Sequence, residues 1–348
     1  MINKTFFKYI FKMQLKATIF VGISVFCLIL LFDFAEMTRK FPISNIAETW
    51  FAFKLALLRS PSTFCEVLHY VYFITATFSL WSLCSSHQMT ILKSTGQSPR
   101  QILRPFIGFA IFVSMIWLFV FHPLGLFAQF KYNALTHNSS TIKTNGDIWI
   151  DNTKNNQMVF IKNITEDNIY GLHIFNTDSD ERLIAQHAKI DSHLWILDNV
   201  TTVKHGRVNN ISQLTIQRDV ISPELINLVS LLPQYQSIYD LYKVYSIERD
   251  NGVSLKLYEL KLHSLLANSM SFILFALIAA IICFPINRYK TKTNIAIKVI
   301  LVSIILRFCN NMFESLAYTG IVPVWLACWA TVLILLCLSI AVLIWKEA

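Results

Sequence analysis

A chain of 348 residues, 54% of them hydrophobic and only 15% charged, does not have the make-up of a purely water-soluble protein. Its net charge of +9 would suit a nucleic-acid partner, but the charges are segregated. Residues 138–250 hold 10 Lys+Arg and 14 Asp+Glu while the remainder holds 20 and 7, so the basic excess lies beside apolar segments and reports membrane topology.

Six segments are long and apolar enough for a hydrocarbon core of about 30 Å, which needs ~20 helical residues. Lys4, Lys8, Lys12 and Lys16 lead into the first, about Lys16–Ala35. No small-x-small cleavage site ends it, so it reads as an uncleaved span rather than a signal peptide. Ile46, Trp50, Phe53 and Leu57 then follow at spacings of 4, 3 and 4, which predicts an interfacial helix stopped by Pro61. The second span lies within Val67–Leu92 and the third within Pro105–Phe130. Between them, Met89, Leu92 and Lys93 share helical spacing before Gly96 and Pro99. That loop is either a short helix that docks in a partner's groove or a solvated connector.

The middle of the chain changes period. Runs at 147–151, 157–162, 169–175, 182–191, 193–197, 201–205 and 211–217 are punctuated by Asn, Asp, Ser and Gly. They predict an all-β sandwich or jelly roll. After Pro223 the chain looks helical as far as Lys261 and re-enters the membrane. The fourth span lies within Leu262–Asn287, the fifth at about Asn294–Ala317 and the sixth at about Pro323–Trp345. The expected organisation is therefore three spans in 1–137, a β domain in 138–222, a helical return in 223–261 and three spans in 262–348. The basic residues of the leader, of the loop with Lys93, Arg100 and Arg104, of the loop with Arg288, Lys290, Lys292 and Lys298, and Lys346 fall on one side. The positive-inside rule makes that side cytoplasmic, with both termini, and puts the β domain outside.

Catalytic and cofactor signatures are absent from the sequence: no P-loop, HExxH or GxSxG occurs, and the nine His and seven Cys lack metal-ligand spacing. No enzyme, cofactor or metal is expected. One polar constellation stands out in the fifth span. Arg307, Asn310, Asn311 and Glu314 at i, i+3, i+4 and i+7 share a helix face. Each charge in a span costs at least ~2.5 kcal/mol, so this face turns to protein or water. It lines a substrate cavity, with Arg307 meeting an anionic group, or it makes a helix–helix contact.

Several runs carry a resemblance. They are His87-Gln88-Met89-Thr90-Ile91-Leu92-Lys93-Ser94-Thr95-Gly96, Phe32-Asp33-Phe34, Ile148-Trp149-Ile150 with Val159-Phe160-Ile161, Leu194-Trp195-Ile196-Leu197, Ser222-Pro223-Glu224-Leu225 and Gly320-Ile321-Val322-Pro323. In this order and spacing the chain resembles the permease family of the lipopolysaccharide exporter, the LptF/LptG (YjgP/YjgQ) type, LptG being the nearer. The resemblance implies a permease subunit, paired with a second LptF-like permease on a cytoplasmic LptB-like ATPase dimer. Such a pair extracts lipopolysaccharide from the inner membrane and passes it to an LptC-like periplasmic bridge, with no nucleic acid involved. It implies that about 85–98 is the coupling helix, contacting the ATPase through His87, Gln88, Met89, Ile91, Leu92, Lys93 and Gly96. It further implies that Arg39 and Lys40 meet lipid A phosphates, and that spans one and five line the lipid cavity, which favours the cavity reading of the Arg307 face. The family usually has Glu where this chain has Gln88, and Gln only hydrogen-bonds where Glu also pairs. A different class of reading is a membrane-anchored sensor or scaffold whose β domain binds without transport.

Overall fold

The computed structural model describes residues 4–41, 45–86, 88, 94, 98–136, 148–152, 157–165, 168–176, 181–191, 194–204, 207–217, 232–251, 253–254, 256–284 and 292–347. They form two compact units, one of residues 1–132 with 263–348 and one of residues 133–262.

The first unit contains helices of membrane-spanning length and hydropathy. These are α1 (Lys4–Lys40), α2 (Ile46–Ser85), α3 (Pro99–Ile116) running through a π-helical turn (Trp117–Phe121) into α4 (His122–Leu135), and, after the β unit, α6 (Lys256–Cys283), α7 (Lys292–Tyr318) and α8 (Val324–Glu347). With α3 and α4 counted as one span, six helices match the six apolar segments. Ser98 opens α3 with a capping box, its side chain accepting from the Gln101 amide while the Gln101 side chain accepts from the Ser98 amide, and Pro99 stands at the first helical position.

One helix departs from expectation. Pro61 does not stop the segment begun at Ile46; it lies inside a single 40-residue helix. Proline removes one backbone donor, and a span tolerates this where neighbouring helices support the freed turn. Here α4 supplies that support at Gly125. A Cβ there would lie 3.1 Å from Cys65 Sγ and 3.3 Å from the Ser62 Cα, so only glycine lets α4 come this close to the Pro61 turn. The π-helical turn is tied to the same place, with Trp117 Nε1 donating to the Cys65 carbonyl at 2.8 Å and Cys65 Sγ donating to the Phe121 carbonyl at 3.1 Å.

Burial sorts the helices. The most apolar stretch of α2 is 61% buried within the chain and that of α6 56%, against 6% for α1 and 17% for α7. The centre is aromatic: Phe73 stacks on Phe275 at 4.8 Å, Tyr72 packs on Phe272, and the Tyr72 hydroxyl donates to the Phe106 carbonyl. Helices α1 and α7 therefore present most of their apolar surface outward, where lipid or another chain must cover it. None of the seven cysteines, all among the described residues, is in a disulfide.

In the second unit, β1 (Ile148–Asn152), β2 (Gln157–Thr165), β3 (Asn168–Asn176), β4 (Glu181–Asp191), β5 (Leu194–Lys204) and β6 (Arg207–Gln217) form an antiparallel meander. The two-residue β7 (Val253–Ser254) pairs with β1, giving the order β6-β5-β4-β3-β2-β1-β7. The sandwich or jelly roll expected for this domain calls for two packed sheets; the described residues form one sheet, each of β1–β6 paired with its neighbour in sequence. The return segment includes a 3-10 turn (Pro233–Tyr235) and α5 (Ile238–Asn251), but β7 interrupts the expected helix. The strand expected at 147–151 is β1, its first residue Asp147 and residues 218–231 lying outside the described residues.

The runs read as separate strands at 193–197 and 201–205 are one strand, β5. The cause of the misreading is a slip in the pleat. Buried positions are spaced by three, not two, at Ile169 and Leu172, Ala185 and Ala188, and Leu197 and Val200. These residues pair across β3, β4 and β5 as Ile169↔Ala188↔Leu197 and Leu172↔Ala185↔Val200. Between the two rows stand Gly171 (φ +65°) and Asn199 (φ 53°), and Asn199 Nδ2 donates to Gln186 Oε1. Left-handed residues at this level let the same face stay buried across the slip, where strict alternation would turn one end of the sheet inside out. A Cβ on Gly171 would lie 2.9 Å from Lys162 Cβ. Gly171→Ala is expected to cost about 1–3 kcal/mol locally and to speed amide exchange in β2–β4 about tenfold or more, while Asn199→Gly stays near wild type. Hydrogen exchange on the full chain checks this, and unchanged exchange in Gly171→Ala contradicts it.

Candidate functional site

Two polar clusters occupy the first unit. The deeper one gathers all four residues singled out in the fifth span. Arg307, Asn310, Asn311 and Glu314 line one small cavity together with His69 and Tyr70 of α2, Asn268 of α6 and Cys328 of α8. The helical period places the four on one face of α7, as their spacing requires. Arg307 and Tyr70 face the same small cavity, across the α2–α7 contact. His69 is buried, its ring parallel to Phe275 at 6.0 Å. The cavity measures about 50 Å³, room for ordered water but not for a lipid headgroup. Arg307 itself is exposed, as is Asn311, so this face both touches neighbouring helices and reaches the surface.

The second cluster was only partly foreseen. Arg39 and Lys40 form the last turn of α1, where positive charge favours the helix dipole. Both are exposed, but they are not equivalent: Lys40 Nζ is held by Glu36 Oε1 at 2.6 Å, whereas Arg39 makes no ion pair among the described residues. Behind them stands Arg59 of α2, which sequence reasoning passed over. Its guanidinium contacts Glu36 Oε2 at 2.8 Å and Asp33 Oδ1 at 3.7 Å. Ser60 Oγ lies 3.1 Å from Asp33 Oδ2 and 2.7 Å from the Ala56 carbonyl, its single proton serving one of them. The signal was present: two carboxylates three residues apart at the end of an apolar span require a cation nearby.

Of the expected coupling residues, only Gln88 lies among the described residues; it is helical and half-buried, and Ser94 beyond it is helical and exposed. His87, Met89, Ile91, Leu92, Lys93 and Gly96 lie outside them. Among the described residues, no group of three or more His, Cys, Asp or Glu is arranged to hold a metal.

Three spans, an inserted antiparallel β unit and three further spans, with the unusual charges gathered on the first and fifth helices, define a multi-pass membrane protein built around its helical surfaces. The chain belongs to the lipopolysaccharide export system permease LptF/LptG family, whose model matches residues 8–345, nearly the whole length. No curated protein matches it. Membership makes the protein a transmembrane permease of lipopolysaccharide export, a transporter component and not a catalytic enzyme, and implies a complex with an ATPase and a partner permease.

Proposed function

We propose that this chain is the LptG-type permease of an ATP-driven lipopolysaccharide exporter in the bacterial inner membrane. It pairs with an LptF-like permease on an LptB-like ATPase dimer and hands its cargo to an LptC-like periplasmic protein. The observation that carries the reading is the family match over residues 8–345, in a chain whose α1 and α7 leave their apolar surfaces uncovered. Those two helices carry the cations suited to an anionic lipid: Arg39 and Lys40 on α1, and Arg307, flanked by Asn310, Asn311 and Glu314, on α7. The 50 Å³ cavity behind Arg307 acts as its anchorage, and the lipid is met on the exposed side of the helix. Within the α1 cluster the phosphate contact falls mainly to Arg39, because Glu36 already engages Lys40. Both termini are cytoplasmic and the β sheet is periplasmic, in line with the basic residues at the cytoplasmic ends of the spans.

Coupling runs through the segment around Gln88, at about residues 85–98, with His87, Met89, Ile91, Leu92, Lys93 and Gly96 completing the contact surface. A neutral Gln docks by shape and hydrogen bonding, so an added acid is compatible with a cationic partner and an added base is not. One complementation experiment tests function and coupling together. Depleting the protein should strand lipopolysaccharide at the inner membrane, and surface delivery should return with the wild type and with Gln88→Glu but not with Gln88→Lys. Unchanged surface delivery on depletion overturns the assignment; equal rescue by all three overturns the coupling role.

A further inference from the structure

A large apolar cavity lies apart from both polar clusters, in the cleft between α1, α2 and the α3–α4 span. It measures about 570 Å³ and is walled by Leu15, Ile19, Gly22 and Phe26 of α1, Phe64 of α2 and Phe112 of α3, among others. The polar groups beside it are turned to partners inside the protein. Thr18 Oγ1 bonds Thr75 Oγ1 at 3.2 Å, and Cys65 Sγ donates to the Phe121 carbonyl. Gly22 lies in the wall, and a Cβ there would meet only Phe64, at 3.7 Å, so a larger side chain at this position has room to enter the cleft. The Pro61 turn and the π-helical turn close the far end, where Pro61, Phe121 and Leu124 line the wall.

The length and charge of the cleft identify its occupant. From Leu15 to Phe26 the wall runs 11 residues along α1, about 16 Å at 1.5 Å per residue. That is close to half of a hydrocarbon core of about 30 Å, the depth of one leaflet. The stripe Leu15, Ile19, Gly22 and Phe26 continues backwards, at the same spacing of three and four, into Lys12 and then Lys8. Lys8, Lys12 and Lys16 are all exposed, at the end of α1 that the basic leader assigns to the cytoplasmic interface. An apolar slot one leaflet deep, capped by three cations and opening to the bilayer, complements an acyl chain attached to an anionic headgroup.

We propose that this cleft is a resident site for one acyl chain of an anionic phospholipid of the cytoplasmic leaflet, whose headgroup is held by Lys12 with Lys8 and Lys16 beside it. The site requires only that the chain span a membrane and is independent of what the exporter carries. The lipid fills the cleft where α1, otherwise almost unburied, leans on α2 and α3, and so sets the position of a helix on the cargo side.

Native mass spectrometry of the full chain with its co-purifying subunits tests this, using dioleoyl-phosphatidylglycerol and dioleoyl-phosphatidylcholine as probes. The wild type is expected to retain phosphatidylglycerol through delipidation about tenfold more than phosphatidylcholine. Gly22→Leu, which fills the cleft, should lose the retained lipid. The triple variant Lys8→Gln, Lys12→Gln, Lys16→Gln should bind the two lipids alike; its changes are at exposed side chains, so it carries the test if Gly22→Leu does not fold. Retention of phosphatidylglycerol by a folded Gly22→Leu chain, or no headgroup preference in the wild type, overturns the proposal. Lipopolysaccharide found in the cleft in place of phospholipid also overturns it, by making the slot part of the cargo path.

Discussion

Arg59→Ala is expected to give one of the two largest effects, lowering the stability of the helical unit by about 2 kcal/mol. The Asp33 side chain is 9% exposed and shares one guanidinium with Glu36, so removing Arg59 strands a nearly buried carboxylate at the end of α1. Breaking a buried ion pair costs about 3–5 kcal/mol, and the figure is reduced here because Arg59 is itself 29% exposed and partly screened. Arg59→Lys should fall between, since an ammonium does not bridge two carboxylates as a planar fork does. Asp33→Asn combined with Arg59→Met should recover part of the loss, because it removes both charges at once. Thermal melting of the purified chain gives the readout. A melting temperature within a degree of wild type for Arg59→Ala means the cluster does not hold α1 to α2.

Arg307→Ala is the second. If the exposed guanidinium meets an anionic group of the lipid, its loss removes a charge-assisted hydrogen bond of about 1.5–3 kcal/mol, a fall of tenfold or more in export. Tyr70→Phe removes only the hydroxyl that shares the cavity with Arg307, and should reduce export a few-fold with little change in stability. Arg307→Ala with Glu314→Ala should be at least as impaired as the single change. Export is to be measured per molecule of assembled protein, which separates two roles. Normal export from a destabilised Arg307→Ala chain returns this face to helix packing alone, whereas impaired export from a stable chain places it on the cargo path.

The four α7 residues were recognisable because a span tolerates few charges, so Arg307 and Glu314 stand out at helical spacing. Their partners were not, because Tyr70 and Asn268 are ordinary residues on other helices and only packing brings them together. Arg59 was overlooked for the opposite reason: a lone cation two residues before a proline looks like a loop residue once the proline is taken as a helix stop. Reading Pro61 as a terminus cost both the continuity of α2 and the significance of Arg59. Similarly, Asp198-Asn199 looks like a turn, yet the left-handed Asn199 lies inside β5 and keeps its buried face in register with β4.

Local composition alone determined that this chain has six segments long and apolar enough to cross a membrane, with a β-rich insertion between the third and the fourth. Hydrophobicity over some twenty residues, and the change from helical to strand period, are local properties that need no tertiary partner. The tertiary structure decided which helices are buried and which are left open, that Glu36 holds Lys40 while Arg39 has no ion pair among the described residues, and that the described strands form a meander with a slipped pleat. It also formed an apolar cleft between α1, α2 and the α3–α4 span. These are outcomes of pairing between residues far apart in the chain, set by shape and charge at the contact rather than by neighbours in sequence.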